Sequence, residues 1–196
     1  MNFQPRNLIP MAHCLWKWTF TFVLQKQILV SCFQILKEVT LLMRKHFLLV
    51  DAWVALKKLK FLGMPRFIGS GSHNYKNEKY RFMVMQRFGT DIQKLFDASQ
   101  RRFPLNTILN LSLRIIDVLE YIHEKQYVHA DIKGSNLLLG FGKGGEKQVW
   151  LVDFGLACRY IVDGVHKEYK PDLRKAHNGT IEFTSRDAHI GGILEK

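Results

Sequence analysis

Hydrophobic positions change their spacing along this chain, and the changes mark out elements. The longest regular pattern runs from Leu105 to Glu124. There Leu105, Ile108, Leu109, Ile115, Ile116, Leu119 and Ile122 recur at helical spacing, while Asn106, Asn110, Arg114 and Asp117 share the opposite side. This predicts a long amphipathic helix. Ahead of it, Phe67 to Gly71 and Tyr80 to Met85 flank a polar, turn-rich stretch from Ser72 to Lys79, which predicts a β-hairpin with a longer loop. Arg81 to Met85 reads as a buried strand, Gly89 breaks it, and Asp91 to Ala98 fits a short helix capped by Thr90. Beyond the long helix, Tyr127 to His129, Leu137 to Leu139 and Val149 to Val152 are short β-type runs. The stretch Gly140 to Gly145 joins the last two as a hairpin loop would.

The pattern changes character near residue 50. Residues 1–49 contain a single acidic residue, Glu38, and no glycine, and the first glycine of the chain is Gly63. Residues 1–49 are therefore set apart as an atypical apolar segment. Its apolar runs, Cys14 to Leu24 and Ile28 to Leu36, are bounded or broken by Lys17 and Lys26. Neither reaches the roughly 18–20 uncharged residues of a membrane helix, and no small-residue cleavage site follows the first, so neither membrane insertion nor a signal peptide is expected.

Composition adds limits. With 196 residues, 47% of them hydrophobic and 23% charged, the chain is long enough for one domain with a real core and is not of disordered type. The formal net charge is +12, but the basic residues form only short blocks, Lys57-Lys58-Leu59-Lys60 and Arg101-Arg102. That reads as a solvated basic surface, with an acidic substrate or a chromatin-like partner as the functional alternatives. No nucleic-acid motif accompanies the charge, so direct nucleic-acid binding is not expected. The three cysteines, Cys14, Cys32 and Cys158, are odd in number and widely spaced. They argue against a disulfide framework or zinc site and fit a reducing compartment.

The chemistry lies after the long helix, in His129-Ala130-Asp131-Ile132-Lys133-Gly134-Ser135-Asn136 followed by Asp153-Phe154-Gly155 at the end of a hydrophobic strand. Phosphoryl transfer needs these residue types. One carboxylate orients the attacking hydroxyl and accepts its proton late, and a lysine two residues on can reach the charge on the transferred phosphate. Magnesium takes hard oxygen ligands, which an asparagine amide and a second carboxylate supply. A glycine after Phe154 is expected to let the backbone turn so that Asp153 faces the metal. Each tripeptide alone is weak. In order, at this distance, with helix before and strand between, they form a specific signal.

These two motifs resemble the catalytic and metal-binding loops of protein kinases. The closer resemblance is to the vaccinia-related kinases of the casein kinase I group, through Lys58 to Gly63, Tyr80 to Met85, Leu119 to Glu124, Tyr127 to Lys133, Gly164 to Tyr169 and His177 to Ser185. It covers residues 50–192. It implies an α+β, protein-kinase-like fold, with residues 50–196 holding the remainder of the N-lobe, the hinge, the catalytic loop and the activation segment. It also implies a serine/threonine kinase using ATP and Mg2+. Asp131 would be the base and Lys133 the phosphate-stabilising cation, with Asn136 and Asp153 holding the metal. Met85 would be the gatekeeper of the adenine pocket, Gln86, Arg87 and Phe88 the hinge, and Thr180 a contact of Asp131 that shapes the substrate loop. Ala130 stands where many kinases have an arginine that binds a phosphorylated activation loop, which implies activity without that phosphorylation. The implied partners are protein substrates, basic or chromatin-associated ones among them. The implied setting is nuclear or cytoplasmic, and the implied state is monomeric.

The resemblance also exposes gaps. Residues 1–62 contain no glycine, so no glycine-rich phosphate-covering loop is expected, and no Val-Ala-Ile-Lys-like strand occurs. Lys26 and Glu38 are the candidates for the lysine–glutamate pair, with an unrelated apolar segment as the other reading of Lys26. The chain reaches only just past the substrate loop, so the long helix is expected to lack cover, leaving a marginally stable or aggregation-prone chain. Two functions therefore stand side by side: an active kinase, and a catalytically impaired, truncated kinase that binds partners as a pseudokinase.

Overall fold

A computed structural model describes residues 19–21, 28–32, 49–75, 78–167 and 179–189. Four strands, β1 (Thr19–Thr21), β2 (Ile28–Cys32), β3 (Phe67–Tyr75) and β4 (Glu78–Gln86), form an antiparallel sheet in the order β1-β2-β4-β3. The β3–β4 strands run further than the polar stretch between them suggested. Pairing continues to Tyr75↔Glu78, so the hairpin loop is short, and Ser72, His73 and Asn74 lie within β3. Those three residues are exposed, and an exposed strand end carries polar side chains without loss.

Between β2 and β3 in sequence comes a helix over residues 49–56 (α1). It turns Val50 and Trp53 inward at i,i+3 spacing. The chain then passes Gly63, whose carbonyl accepts the Leu151 N–H at 2.9 Å. A Cβ at position 63 would lie 2.1 Å from the Val149 carbonyl oxygen, so only glycine allows this backbone-on-backbone approach.

β4 passes through Arg87 into β5 (Phe88–Asp91) and α2 (Ile92–Ala98). The cap of α2 is Asp91, not Thr90: the Asp91 carboxylate accepts the Lys94 N–H at 2.9 Å. Aspartate caps at least as well as threonine, and here it also sits on the extended residue that ends β5. Next come α3 (Leu105–Glu124), β6 (Tyr127–Val128), β7 (Leu137–Gly140), β8 (Val149–Leu151), β9 (Cys158–Arg159), the hairpin β10 (Ile161–Val162) and β11 (Val165–His166), and α4 (Arg186–His189). β5, β7 and β8 form one small antiparallel sheet, and β6 pairs with β9.

α3 has the predicted bounds, but its apolar residues do not share one face. Ile115, Val118, Tyr121 and Ile122 are buried, whereas Leu105, Ile108, Leu109, Leu113 and Ile116 are exposed. Positions 105, 109, 113 and 116 step by a turn each and form a second stripe. The inward face joins one core that spans both halves of the chain. Val50, Trp53, Leu62, Met64, Met83, Met85 and Phe88 meet Val118, Tyr121, Ile122, Tyr127, Leu151, Val152, Phe154 and Ala157. This core sets the sheet above the catalytic loop.

The α1–α3 contact is polar at its rim. Trp53 Nε1 donates to Glu124 Oε2 at 2.7 Å, its ring meets Tyr121 edge-on at 5.3 Å, and Lys57 Nζ reaches Glu120 at 2.6 Å and Glu124 at 3.3 Å. The indole hydrogen bond, followed by Lys57, holds the Glu124 carboxyl below the usual carboxylate range even though burial opposes it. No helix among the described residues is long and apolar enough to cross a membrane.

Candidate active site

The loop after β6 is built around a buried histidine. His129 is 2% exposed, its Nε2 lies 3.0 Å from the Val152 carbonyl oxygen, and its Nδ1 accepts the Asp131 N–H at 3.3 Å. Phe154 meets the ring edge-on at 4.8 Å. Burial pushes the imidazole down to about 4, against the opposing hydrogen bond to Val152. The ring is therefore neutral, with its proton on Nε2, and one nitrogen holds the strand before Asp153 while the other holds Asp131. The sequence reading quoted His129 within the motif but gave it no role; its signal was a histidine two residues before the aspartate.

Asp131 is the hub. Lys133 Nζ lies 2.7 Å from Oδ2, the Thr180 hydroxyl donates to Oδ1 at 2.9 Å, and Asn136 Nδ2 donates to Oδ2 at 3.1 Å and to the Asp131 carbonyl at 2.8 Å. Lys133 also donates to Thr180 Oγ1 at 2.7 Å, closing a three-residue ring. Burial works to raise the Asp131 carboxyl, but Lys133, Thr180 and Asn136 together outweigh it and hold it below the usual aspartate value. The Asp131 carboxyl is ionised at neutral pH. Asp131, Lys133, Asn136 and Thr180, separated by up to 49 positions, are thus brought to one point.

The backbone at this point is unusual. Ala130 has φ 66°, in the left-handed region, and Gly179 has φ 91°. A Cβ on Gly179 would lie 3.0 Å from the Ala130 carbonyl oxygen, so a glycine is what lets the Thr180 segment approach the catalytic loop. Asp153 itself has φ 64°, ψ 68°, and its Oδ1 accepts the Gly155 N–H at 3.2 Å. The turn expected of Gly155 is thus made by Asp153. Gly155 supplies room instead, since a Cβ there would lie 3.0 Å from Asp153 Oδ1. A left-handed aspartate is strained, which suits a functional carboxylate.

For a divalent cation the donor set is an amide and a carboxylate. Asn136 is buried and spends Nδ2 on Asp131, which keeps Oδ1 as its cation-facing atom. Asp153 follows Val152, whose N–H donates to the Asn136 carbonyl at 2.9 Å, so the two donors flank the paired strands, Asn136 just before β7 and Asp153 just after β8. Oxygen-only donors fit magnesium rather than a softer metal. Among the described residues no cluster of three or more His, Cys, Asp or Glu could hold a metal by itself.

The other expected positions differ in what is known of them. Met85 is buried at the end of β4, between Leu29 of β2 and Phe67 of β3 in register. Phe88 turns its ring into the core against Trp150, with centroids 5.7 Å apart, and Arg87 lies 3.7 Å above the Phe141 ring. Lys26 and Glu38 lie outside the described residues.

A loop aspartate ringed by Lys133, Thr180 and Asn136, beneath an antiparallel sheet, defines a fold of the protein kinase type. Comparison with known proteins agrees: the protein kinase domain model matches residues 55–185, and the chain belongs to that family. Within it, the relatives are vaccinia-related kinases. Human serine/threonine-protein kinase VRK2 is 50% identical over 147 residues, covering 75% of this chain and 28% of the relative. Nucleosomal histone kinase 1 of Drosophila melanogaster is 48% identical over 133 residues, covering 68% of this chain and 22% of the relative. Among solved structures, vaccinia related kinase 3 superposes with a TM-score of 0.76 at 27% identity, covering 90% of this chain and 58% of that one. The chain therefore spans about a quarter of the length of these two curated relatives.

Proposed function

We propose that this chain carries the phosphate-transfer centre of a serine/threonine protein kinase. The γ-phosphate of ATP passes to a protein Ser or Thr hydroxyl: the new O–P bond forms, the bond to the ADP oxygen breaks, and the hydroxyl proton goes to Asp131. The observation that carries the reading is the ring around Asp131, which holds an ionised carboxylate in place with an ammonium beside it. Lys133 neutralises charge on the transferred group, and Thr180 on Oδ1 with Lys133 and Asn136 on Oδ2 fixes the orientation of the carboxylate. Asn136 and Asp153 would hold Mg2+, which supplies charge neutralisation on the nucleotide phosphates. Met85 would close the back of the adenine pocket, and Gln86 to Phe88 would form its edge. Chromatin-associated basic proteins are the substrate class we favour, by analogy with the nucleosomal histone kinase of Drosophila melanogaster. A nuclear or cytoplasmic setting goes with it.

Asp131→Asn tests the reading. Transfer of labelled phosphate from ATP to casein or histone should fall by roughly 10^2–10^4-fold. Turnover unchanged by the substitution would sink it.

One observation favours a second reading. β2, the strand beside the gatekeeper position, consists of Ile28, Leu29, Val30, Ser31 and Cys32, with Leu29 opposite Met85, and offers no cation to nucleotide phosphates. A partner-binding, catalytically impaired kinase would show no turnover, weak nucleotide binding and partner binding unaffected by Asp153→Ala.

A further inference from the structure

The segment that leaves Asp153 and returns at Thr180 is anchored along its way. Tyr160 sits at the foot of the β10–β11 hairpin and uses each of its polar groups for anchoring. Its N–H donates to the Gln126 carbonyl at 3.1 Å, and its carbonyl accepts the Lys167 N–H at 2.9 Å, closing the hairpin. Its hydroxyl donates to the His123 carbonyl at 2.8 Å. That carbonyl belongs to the last turn of α3, where it also accepts the Gln126 N–H at 2.8 Å and carries partial negative charge. A neutral donor suits this position; an anion does not. The ring lies between His123 and His166, with centroids 6.3 Å and 5.5 Å away. Next to it, Arg159 Nε donates to the Tyr127 hydroxyl at 2.9 Å and lies over that ring, so the neighbouring cation is engaged too. Ala130, beside Asp131, offers no charge to receive a phosphate.

We propose that Tyr160 is a latch: its hydroxyl on the end of α3 holds the β10–β11 hairpin in place and so orders residues 160–167. The hairpin itself is small, two residues a strand, and turns through Asp163 (φ 53°) and Gly164 (φ 79°). A pair of two-residue strands is not stable alone, so its order must come from what it is fastened to. The inference deepens the kinase reading, and it rests on that reading only for its kinetic consequence.

Tyr160→Phe in the full chain keeps the ring and removes only the hydroxyl. Amide exchange should quicken roughly 3–10-fold at 160–167, while Val118 to Ile122 and Leu151 keep their rates. Where transfer to a protein substrate is measured, the KM for that substrate should rise by a similar factor and the KM for ATP should not. Unchanged exchange at 160–167 overturns the latch. So does equal acceleration through α3 and β8, which would mean simple loss of stability. If the unsubstituted chain transfers no phosphate, the kinase reading fails on its own, and exchange alone decides the latch.

Discussion

Ala130 holds its left-handed backbone without the freedom of glycine. For an L-residue with a Cβ this costs about 1–2 kcal/mol, part of which a glycine would lose again through its looser unfolded chain. Ala130→Gly should therefore raise stability by about 0.5–1 kcal/mol in urea denaturation, and a destabilised variant would contradict the geometry. Gly179→Ala should do the reverse, by roughly 1–3 kcal/mol, since it combines a forbidden φ with a 3.0 Å contact. His129 makes a pH prediction. Its folded value lies below the unfolded 6.5, so its contribution is fully present above 6.5 and is lost as pH falls toward about 4. The span corresponds to on the order of 3 kcal/mol. An NMR titration should find the His129 ring neutral at pH 6; a midpoint near 6.5 would refute this. At this scale much was legible. Asp131, Lys133, Asn136 and Thr180 stand in motifs that the sequence displays, and the structure brings these four side chains together. Backbone angles were not legible, so the turn was expected of Gly155 when Asp153 itself makes it. Residue types alone also left Thr90 and Asp91 as neighbouring caps, and only the observed hydrogen bond separates them.

Elements were read well where periodicity was long and poorly where burial decided. α3 was found residue for residue, because twenty positions carry a strong helical signal. Its face was misjudged because spacing reveals that positions are apolar and does not reveal which of two stripes meets the core. The β3–β4 loop was drawn too long for a related reason: polar residues at an exposed strand end look like loop. α1 was not recognised, since its described residues carry only one inward pair, Val50 and Trp53, which leaves too little pattern. Yet α1 matters to the second half of the chain. Trp53 is 5% exposed and packs on fully buried Tyr121, so Trp53→Ala should cost about 3–5 kcal/mol in thermal or chemical unfolding. Glu124→Gln, at the exposed rim of the same contact, should change stability far less. Equal effects from the two would mean that the ionic rim, and not the packed ring, fastens α1 to α3.

Among the described residues there is one core and one exposed apolar flank. Leu105, Leu109, Leu113 and Ile116 are each more than half exposed, and a helix apolar on two sides is ordinarily covered on both. The chain at net charge +12 should resist association at low salt and lose that protection as salt screens the charge. Sedimentation velocity should then show larger species rising with protein and salt concentration, and Leu109→Lys with Leu113→Lys should suppress them. A single monomer peak under all conditions would remove the flank from consideration.

The contact of Gly63 with the Val149 carbonyl joins main chain to main chain. No rotamer can move aside to accept a methyl group there, and no second substitution elsewhere can compensate for one. Gly63→Ala should consequently be resistant to genetic suppression, in contrast to cavity mutants of the core, which refill. It also gives a comparison chain in which every candidate catalytic side chain is intact while the joint between the two halves is broken. Set against Asp131→Asn, which leaves the joint and removes the proposed base, it separates effects of the proposed phosphate transfer from effects of holding the shape.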